Sequence, residues 1–494
     1  MEYQFKSQPM GHQLKTFELS KDAEAWGILF EMGVGKSKVA VDTAAYLYSL
    51  GRINCFVVLA PNGVHRKWLL EDIPLSLPDH IEYKAAIWEA GNTKSMAACE
   101  DLLLPGAHLR ILLANIEGMS YAKLPEFLKR LLQSTDSLLV VDESSRIKNP
   151  TSKRTKKLME LVKETKYRRI LAGDAVVNSP FDLFSQVGFL YEGALGYSFP
   201  AFKAEYAEML PATDRMVIEI MHKNNLRYPP QIARTNEDGT VRYKNLEKLK
   251  RIIEPFCTRY TKAECLELPE KIYVTHYFKL AKEQRAIYDR MAKEFKYELN
   301  GNTVGVAHKL TLALRLQQVA CGFLPGEHGE PSTHLFKTPE ENPRIAQLID
   351  SLEDVQGQVI IWCRYQDDIR LLEKVFGDEA ALYYGGEPDK KCQLAMQEFK
   401  AGKKRYFIGT AAKGGIGLNL TCATTVVYYS NTFNAGDRWQ SEDRAHRIGQ
   451  KNNVLYIDLQ AEDTIDDKII RALHVKKDLS QFMLELTGAG KPLV

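Results

Sequence analysis

The chain has 494 residues, 45% hydrophobic and 26% charged, with a net charge of +3. That length exceeds one compact core and predicts about two to four domains, while the near-neutral charge excludes a polyanion surface spread over the whole molecule and leaves room only for local patches. Eight scattered cysteines with no C-x-x-C pair exclude a zinc or disulfide framework and suit a reduced cytosolic protein, and neither a signal-peptide core nor an apolar run of roughly 18 residues occurs, so no membrane partner is expected.

In chain order, the short apolar runs AWGILFE, CFVVLAPN, LRILLANIE, SLLVVDESS and YRRILAGD predict strands. The second half repeats the pattern with QVIIWCRYQ, ALYYGG, RYFIGTAAKGG, TTVVYYSNTF and NVLYIDLQ. Unalternating runs of this kind suit parallel strands buried on both faces, and helical segments such as KSKVAVDTAAYLYSL and DDIRLLEKVF separate them. The expectation is α/β architecture occurring twice, with ligands at the carboxyl ends of the strands. Between the two sets the pattern changes. YKNLEKLKRIIEPF and KEQRAIYDRMAKEFKYEL read as amphipathic helices without intervening strands. The predicted domains are a first lobe over 1–180, a helical insertion and the end of that lobe over 181–270, a helical insertion or linker over 271–340, and a second lobe over 341–494.

Four segments carry candidate chemistry. FEMGVGKS, Phe30–Ser37, meets the pattern G-x-x-x-x-G-K-[ST] at Gly35, Lys36 and Ser37, but Phe30 stands where the first glycine belongs. In the phosphate-binding reading, Gly33 and Gly35 let backbone N–H groups converge on phosphate, Lys36 reaches the terminal phosphates and Ser37 binds magnesium. The alternative reading of these residues is a glycine turn closing a strand–helix junction. VVDESS offers Asp142 to magnesium and Glu143 to orient or deprotonate a water, or forms a solvated loop. RWQSEDRAHRIGQ, Arg438–Gln450, offers Gln440, Arg444 and Arg447. The two arginines are three apart, which predicts a shared helix face, and arginine suits the charge developing in phosphoryl transfer; a plain charged helix fits as well. GTAAKGGIGLN, with Gly415 and Gly417, is a strand exit able to approach a nucleotide closely, or a plain loop. The stretch 151–169 holds eight Lys/Arg against two Glu. With Arg146 and Lys148 it reads as a phosphate contact or as a solvated helix face.

The order of FEMGVGKS, VVLAPNGVHRKW, ILLANIE, VVDESSRIKNP, LAGDAVVNSPFDL, LRLQQVACG, VIIWCRY, GTAAKGGIGLNL and QSEDRAHRIGQ resembles the Swi/Snf-type branch of superfamily 2 helicases, from about Gln13 to Thr464–Ile469. That family often has alanine where Phe30 stands, so the missing glycine does not oppose a phosphate loop. The resemblance implies two RecA-like lobes that hydrolyse ATP with Mg2+ and move along DNA, usually duplex. By position it makes Lys36, Ser37 and Asp142 the phosphate and magnesium residues, Glu143 the catalytic base, Arg444 and Arg447 arginine fingers with Gln440 near the terminal phosphate, and Gln13 the reader of adenine. Asn62, Asn115, Lys148, Asn178, Arg364, Thr410 and Lys413 fall in or beside motifs that face nucleic acid or couple it to the nucleotide.

Three segments depart from the family pattern: DESS in place of Asp-Glu-Ala-His, LAGDA (Leu171–Ala175) in place of Leu-Thr-Gly-Thr-Pro, and Asn434-Ala435 in place of Asn-Pro. A carboxylate at Asp174 calls for a partner, with Ser145 or Arg447 as candidates. The expectation is an ATP-dependent translocase acting on duplex or branched DNA in replication, recombination or repair, a compact form such as phages and bacteria encode, working in the cytoplasm with replication or recombination proteins. A nucleotide-sensing DNA-binding protein with weak turnover and an RNA helicase are the alternatives.

Overall fold

The computed structural model describes residues 3–62, 64–173, 179–236, 241–301, 306–326, 332–414 and 418–473, with side chains described except at 294–301, 306–310, 312 and 389. The chain divides into two compact units, one ending at Leu266 and the other beginning at Glu267.

The first unit is built on β1 (Ala25–Phe30), β2 (Cys55–Ala60), β3 (Tyr83–Trp88), β4 (Leu109–Asn115), β5 (Ser137–Asp142), β6 (Tyr167–Leu171) and β7 (Cys257–Tyr260). They form one parallel sheet in the order β3-β4-β2-β5-β6-β1-β7. Every residue of β1, β2 and β5 is buried. Successive side chains point to opposite faces, so Leu29, Val57, Leu112 and Val141 enter one apolar core while Ile28, Val58, Leu113 and Val140 enter the other. Helices cover both faces, the first two being α1 (Gly11–Ser20) and α2 (Lys36–Ser49).

The second unit repeats the plan. β8 (Lys271–Phe278) is followed by a two-residue antiparallel ribbon, β9 (Phe323–Leu324) with β10 (Thr333–His334). Then come β11 (Val359–Cys363), β12 (Ala380–Tyr383), β13 (Tyr406–Thr410), β14 (Thr425–Tyr428) and β15 (Val454–Ala461). The sheet order is β12-β13-β11-β14-β15-β8, all parallel. Ile361, Ile408 and Val427 pack on one face, Ile360, Phe407 and Val426 on the other. Each unit is a RecA-like lobe.

Two expectations change. The middle of the chain does contain strands: β7 and β8 close the edges of the two sheets, and β8 lies within 271–340, the segment expected as helical insertion or linker. β3 was also absent from the predicted strands, and it is the other edge of the first sheet. Edge strands have one neighbour and need no continuous apolar run. In β8, Lys271-Ile-Tyr-Val-Thr-His-Tyr-Phe278, only Phe278 is buried.

Candidate nucleotide site

The carboxyl ends of β5 and β6 are level, and β1 runs two residues beyond them to Phe30. Asp142 pairs with Leu171, and Leu171 with Ile28. This register sets three segments side by side: the phosphate loop beyond β1, Gly173 beyond β6, and Glu143 beyond β5.

The loop has the geometry that glycine permits. Gly33 and Gly35 have φ of 81° and 86°, and Gly35 is the N-cap of α2. A side chain at Gly35 would place its Cβ 2.0 Å from Gln13 Nε2. Gln13 is itself buried. Its Oε1 accepts from the Met10 N–H at 2.8 Å, and its Nε2 donates to the Gly35 carbonyl at 3.3 Å. The expected adenine reader therefore braces the phosphate loop. His12 does the same, its Nε2 donating to the Val34 carbonyl at 2.9 Å. Lys36 closes the loop across its width, with Nζ donating to the carbonyls of Phe30 (3.0 Å) and Glu31 (3.4 Å). Ser37 is half-buried beside it at the start of α2. The Glu31 carboxylate accepts from the Lys262 N–H at 2.8 Å, which ties the loop to the chain after β7. Gly173 approaches the loop so closely that a Cβ there would lie 2.7 Å from Met32 Cγ and 3.6 Å from Lys36 Nζ.

Asp142 is 5% exposed and held on both oxygens. Oδ2 accepts from Trp68 Nε1 at 2.9 Å and Oδ1 from the Glu143 N–H at 2.9 Å. Burial, and secondarily the Glu143 carboxylate, raise its pKa to about 6; the Trp68 hydrogen bond and Lys36 oppose the rise. Glu143 takes a left-handed backbone conformation, φ 51° and ψ 58°. A non-glycine residue in that region stores strain, which clusters at functional sites. Ser144 donates to Gln186 Oε1 at 2.5 Å, and Gln186 Nε2 donates to the Asp182 carbonyl at 2.8 Å. Ser145 is half-buried; its proposed partner Asp174 lies outside the described residues, as do Asn178, Gly415 and Gly417.

The residues expected to face nucleic acid sit at strand ends. Ala60 pairs with Asn115, so exposed Asn62 follows β2 where Asn115 closes β4. Asn115 Oδ1 accepts from the Glu117 N–H at 2.8 Å. Lys148 Nζ lies 3.3 Å from Asp182 Oδ2, in a half-buried ion pair. In the second lobe Cys363 pairs with Thr410, which brings Arg364 and Thr410 to neighbouring strand ends. Arg364 Nη1 donates to Thr432 Oγ1 at 3.1 Å, and Lys413 Nζ to the Tyr384 carbonyl at 3.1 Å.

The arginine segment departs from the expected helix face. The helix Ala435–Glu442 carries half-buried Gln440 and ends before either arginine. Arg444 and Arg447 lie in the turns that follow, and they meet because both donate to the Leu418 carbonyl, at 3.3 and 2.9 Å. Arg444 Nε also donates to the Gln440 carbonyl at 3.0 Å. The anchor of this segment is Arg438, which sequence reasoning missed. It grips Asp458 through Nη1 at 2.5 Å and Nη2 at 3.0 Å, and stacks 3.4 Å from the Tyr428 ring centroid.

The basic stretch 151–169 also divides. Lys153, Lys156, Lys157, Lys163 and Lys166 are exposed. Arg169 is wholly buried and structural, donating to the carbonyls of Ser20 (2.6 Å), Arg168 (2.7 Å) and Ala23 (2.9 Å). Arg168 reaches the carbonyls of Thr165 and Leu190. Neither is a phosphate contact.

A glycine-bent loop at a helix N-terminus, spanned by a lysine and beside an Asp-Glu pair on a parallel sheet, has the arrangement of a candidate phosphate-binding loop. Residues 16–322 match the SNF2-related domain and residues 342–449 the helicase conserved C-terminal domain. The chain belongs to the SNF2-related family. It is 25% identical to the ISWI chromatin-remodeling complex ATPase ISW1 of Saccharomyces cerevisiae over 98% of this chain and 42% of that one. It is 24% identical to the uncharacterized ATP-dependent helicase MG018 of Mycoplasma genitalium, over 94% and 41%, and 26% identical to the putative ATP-dependent helicase/translocase YwqA of Bacillus subtilis, over 74% and 37%. The chain thus spans less than half the length of these relatives. The solved Sulfolobus solfataricus SWI2/SNF2 ATPase core in complex with dsDNA aligns over 98% of this chain and 94% of that one at 23% identity, but its TM-score of 0.41 is too low to add to the fold. Among the described residues no helix is long and apolar enough to cross a membrane.

Proposed function

We propose that the protein is an ATP-dependent DNA translocase, coupling ATP hydrolysis to movement on duplex or branched DNA in replication, recombination or repair. The observation that carries this reading is the adjacent placement of the Lys36 loop, Gly173 and the Asp142–Glu143 pair at neighbouring strand ends, within a chain of the SNF2-related family. Lys36 would leave the loop carbonyls for the triphosphate, whose charge the α2 N-terminus also favours. Magnesium would rest on Ser37 and Asp142 and neutralise charge on the phosphates. The donor set suits it: Asp142 offers one buried carboxylate and Ser37 a hydroxyl, and magnesium is usually held by one or two carboxylates plus substrate phosphates. Glu143 would hold the attacking water and accept its proton. Arg444 and Arg447 would supply cationic stabilisation of the transferring phosphoryl group, with Gln440 near the terminal phosphate. Gln13, braced on Gly35, would meet the base, and the strand-end residues Asn62, Asn115, Arg364, Thr410 and Lys413 would meet DNA, with Lys148 exchanging Asp182 for a phosphate. Action in a bacterial or phage-host cytoplasm fits the Mycoplasma and Bacillus relatives.

ATP hydrolysis measured with no nucleic acid, single strands, duplex, forks, four-way junctions and RNA tests the reading. Stimulation by duplex or branched DNA is the expected result. Equal stimulation by RNA would move the assignment to an RNA helicase, and no stimulation at all would leave a nucleotide-sensing DNA-binding protein.

A further inference from the structure

Arg444 and Arg447 stand beyond the helix Ala435–Glu442, in turns whose direction no continuous helix sets. Part of that direction is imposed from outside, by the short segment Pro269–Tyr273 that opens β8. The Lys271 ammonium lies 3.1 Å from Glu442 Oε2 and 3.5 Å from Asp443 Oδ1. The Tyr273 hydroxyl donates to the same Glu442 Oε2 at 2.7 Å, and Arg438 Nε donates to Glu442 Oε1 at 3.0 Å. His446, between the two arginines, donates from Nε2 to the Pro269 carbonyl at 2.7 Å. Glu442 and Asp443 immediately precede Arg444, so the start of β8 grips the chain on both sides of that arginine.

These contacts have different duties. Arg438 anchors the helix to Asp458, and together with Tyr273 it still satisfies Glu442 when Lys271 is taken away. Removing Lys271 therefore leaves no buried carboxylate stranded, which is the condition that makes loss of a charge partner so destabilising. What Lys271 adds is a second attachment: a cation held between residues 442 and 443 fixes the turn at the residue before Arg444. Burial opposes its charge, but Glu442 and Asp443 more than offset this and hold its pKa well above the ordinary lysine value. Groups that stabilise a transition state must be placed to within about 0.5 Å, and a misplacement of about 1 Å can cost on the order of 10²-fold in rate. We propose that Lys271 is a positioning residue for ATP hydrolysis, aiming Arg444 and Arg447 at the transferring phosphoryl group by bridging Glu442 and Asp443. The proposal rests on the ATPase reading of the arginine segment and adds to it a residue 171 positions before Glu442.

The test measures kcat and KM for ATP with saturating duplex DNA, nucleotide affinity and the melting midpoint, all on the full chain. Lys271→Ala should lower kcat on the order of 10²-fold while KM and nucleotide affinity stay near the parent values. Lys271→Arg keeps the cation and should recover most of the rate. Tyr273→Phe removes one contact to Glu442 and should lower kcat in the same way by a smaller factor, which keeps the proposal falsifiable if Lys271→Ala does not fold. In the Arg444→Ala background the cost of Lys271→Ala should shrink, because it acts through that residue. A parent-like kcat in Lys271→Ala and Tyr273→Phe, even with a lowered melting midpoint, overturns the proposal and leaves a scaffold contact. An undiminished loss in the Arg444→Ala background overturns it too. If Arg444→Ala and Arg447→Ala themselves turn over ATP at the parent rate, the ATPase reading of the segment fails, and this inference falls with it.

Discussion

Trp68 Nε1 donates to Asp142 Oδ2 at 2.9 Å, so the proposed magnesium carboxylate is oriented by a tryptophan 74 residues earlier in the chain. Trp68 is fully buried and packs edge-on against Phe56 of β2. It fixes the carboxylate and, as a donor, favours its ionised form. Trp68→Phe keeps most of the packing and removes the donor. The variant should be destabilised by about 1–3 kcal/mol in urea unfolding. Because the metal ligand must be ionised, the acid limb of ATP turnover should also move to higher pH. An unmoved limb would mean that Asp142 is not the titrating ligand.

Asp142 itself gives a sign that melting curves can check. Its pKa rises from 3.8 to about 6 in the folded chain, so between those values the folded state binds more protons than the unfolded one. The group's contribution to stability therefore falls as pH rises through that window, and its ionised form is a net cost above it. Asp142→Asn should make the nucleotide-free protein melt higher than the parent near pH 7, by on the order of 1–2 kcal/mol, with the difference fading toward about pH 4.

Lys36→Ala and Glu143→Gln should both abolish turnover, for different reasons. Loss of Lys36 removes the side-chain cation from the phosphates and should weaken ATP binding. Glu143→Gln retains the loop and Asp142, so ATP should still bind while the water is no longer activated. Nucleotide affinity measured beside single-turnover hydrolysis separates them, and DNA-stimulated hydrolysis in either variant would remove the assignment.

Arg444→Ala and Arg447→Ala should slow turnover by about 10³–10⁵ with modest change in nucleotide affinity, the behaviour of an arginine finger. Near-parent rates in both variants would reduce the Leu418 contacts to a structural brace.

The basic stretch separates by burial. Lys156→Ala should lower the salt slope of DNA binding by about one without changing stability. Arg169→Ala should cost 3 kcal/mol or more, to order of magnitude, because it strands several buried carbonyls. A parent-like denaturation midpoint for Arg169→Ala would contradict the burial seen here.

Central strands and the order of motifs were legible because each is local. β1, β2 and β5 are buried on both faces, and five or six consecutive apolar or small residues announce that in any context. Gly35, Lys36 and Ser37 are adjacent in the chain, as are Asp142 and Glu143, so chemistry that depends on neighbours in sequence could be read directly. Among the missed strands, β3, β7 and β8 lie at the edges of the two large sheets, where one side lacks a neighbour and polar residues are tolerated, and β9 and β10 are two residues each, too short for a pattern.

By itself, then, the sequence determined the two α/β lobes and located the glycine loop after β1 and the acidic pair at the end of β5, since hydrophobic periodicity and short motifs are properties of contiguous residues. Only the tertiary structure decided which polar groups serve the scaffold. Arg169 and Lys156 are both basic residues of one stretch, yet one is enclosed by backbone carbonyls and the other is exposed to solvent. Arg444 and Arg447 meet on the Leu418 carbonyl although the helix has already ended, and Arg438, rather than either of them, locks the segment to Asp458. Those partners lie tens of residues away, and burial and hydrogen-bond satisfaction are set by what the fold brings near, which no local pattern records.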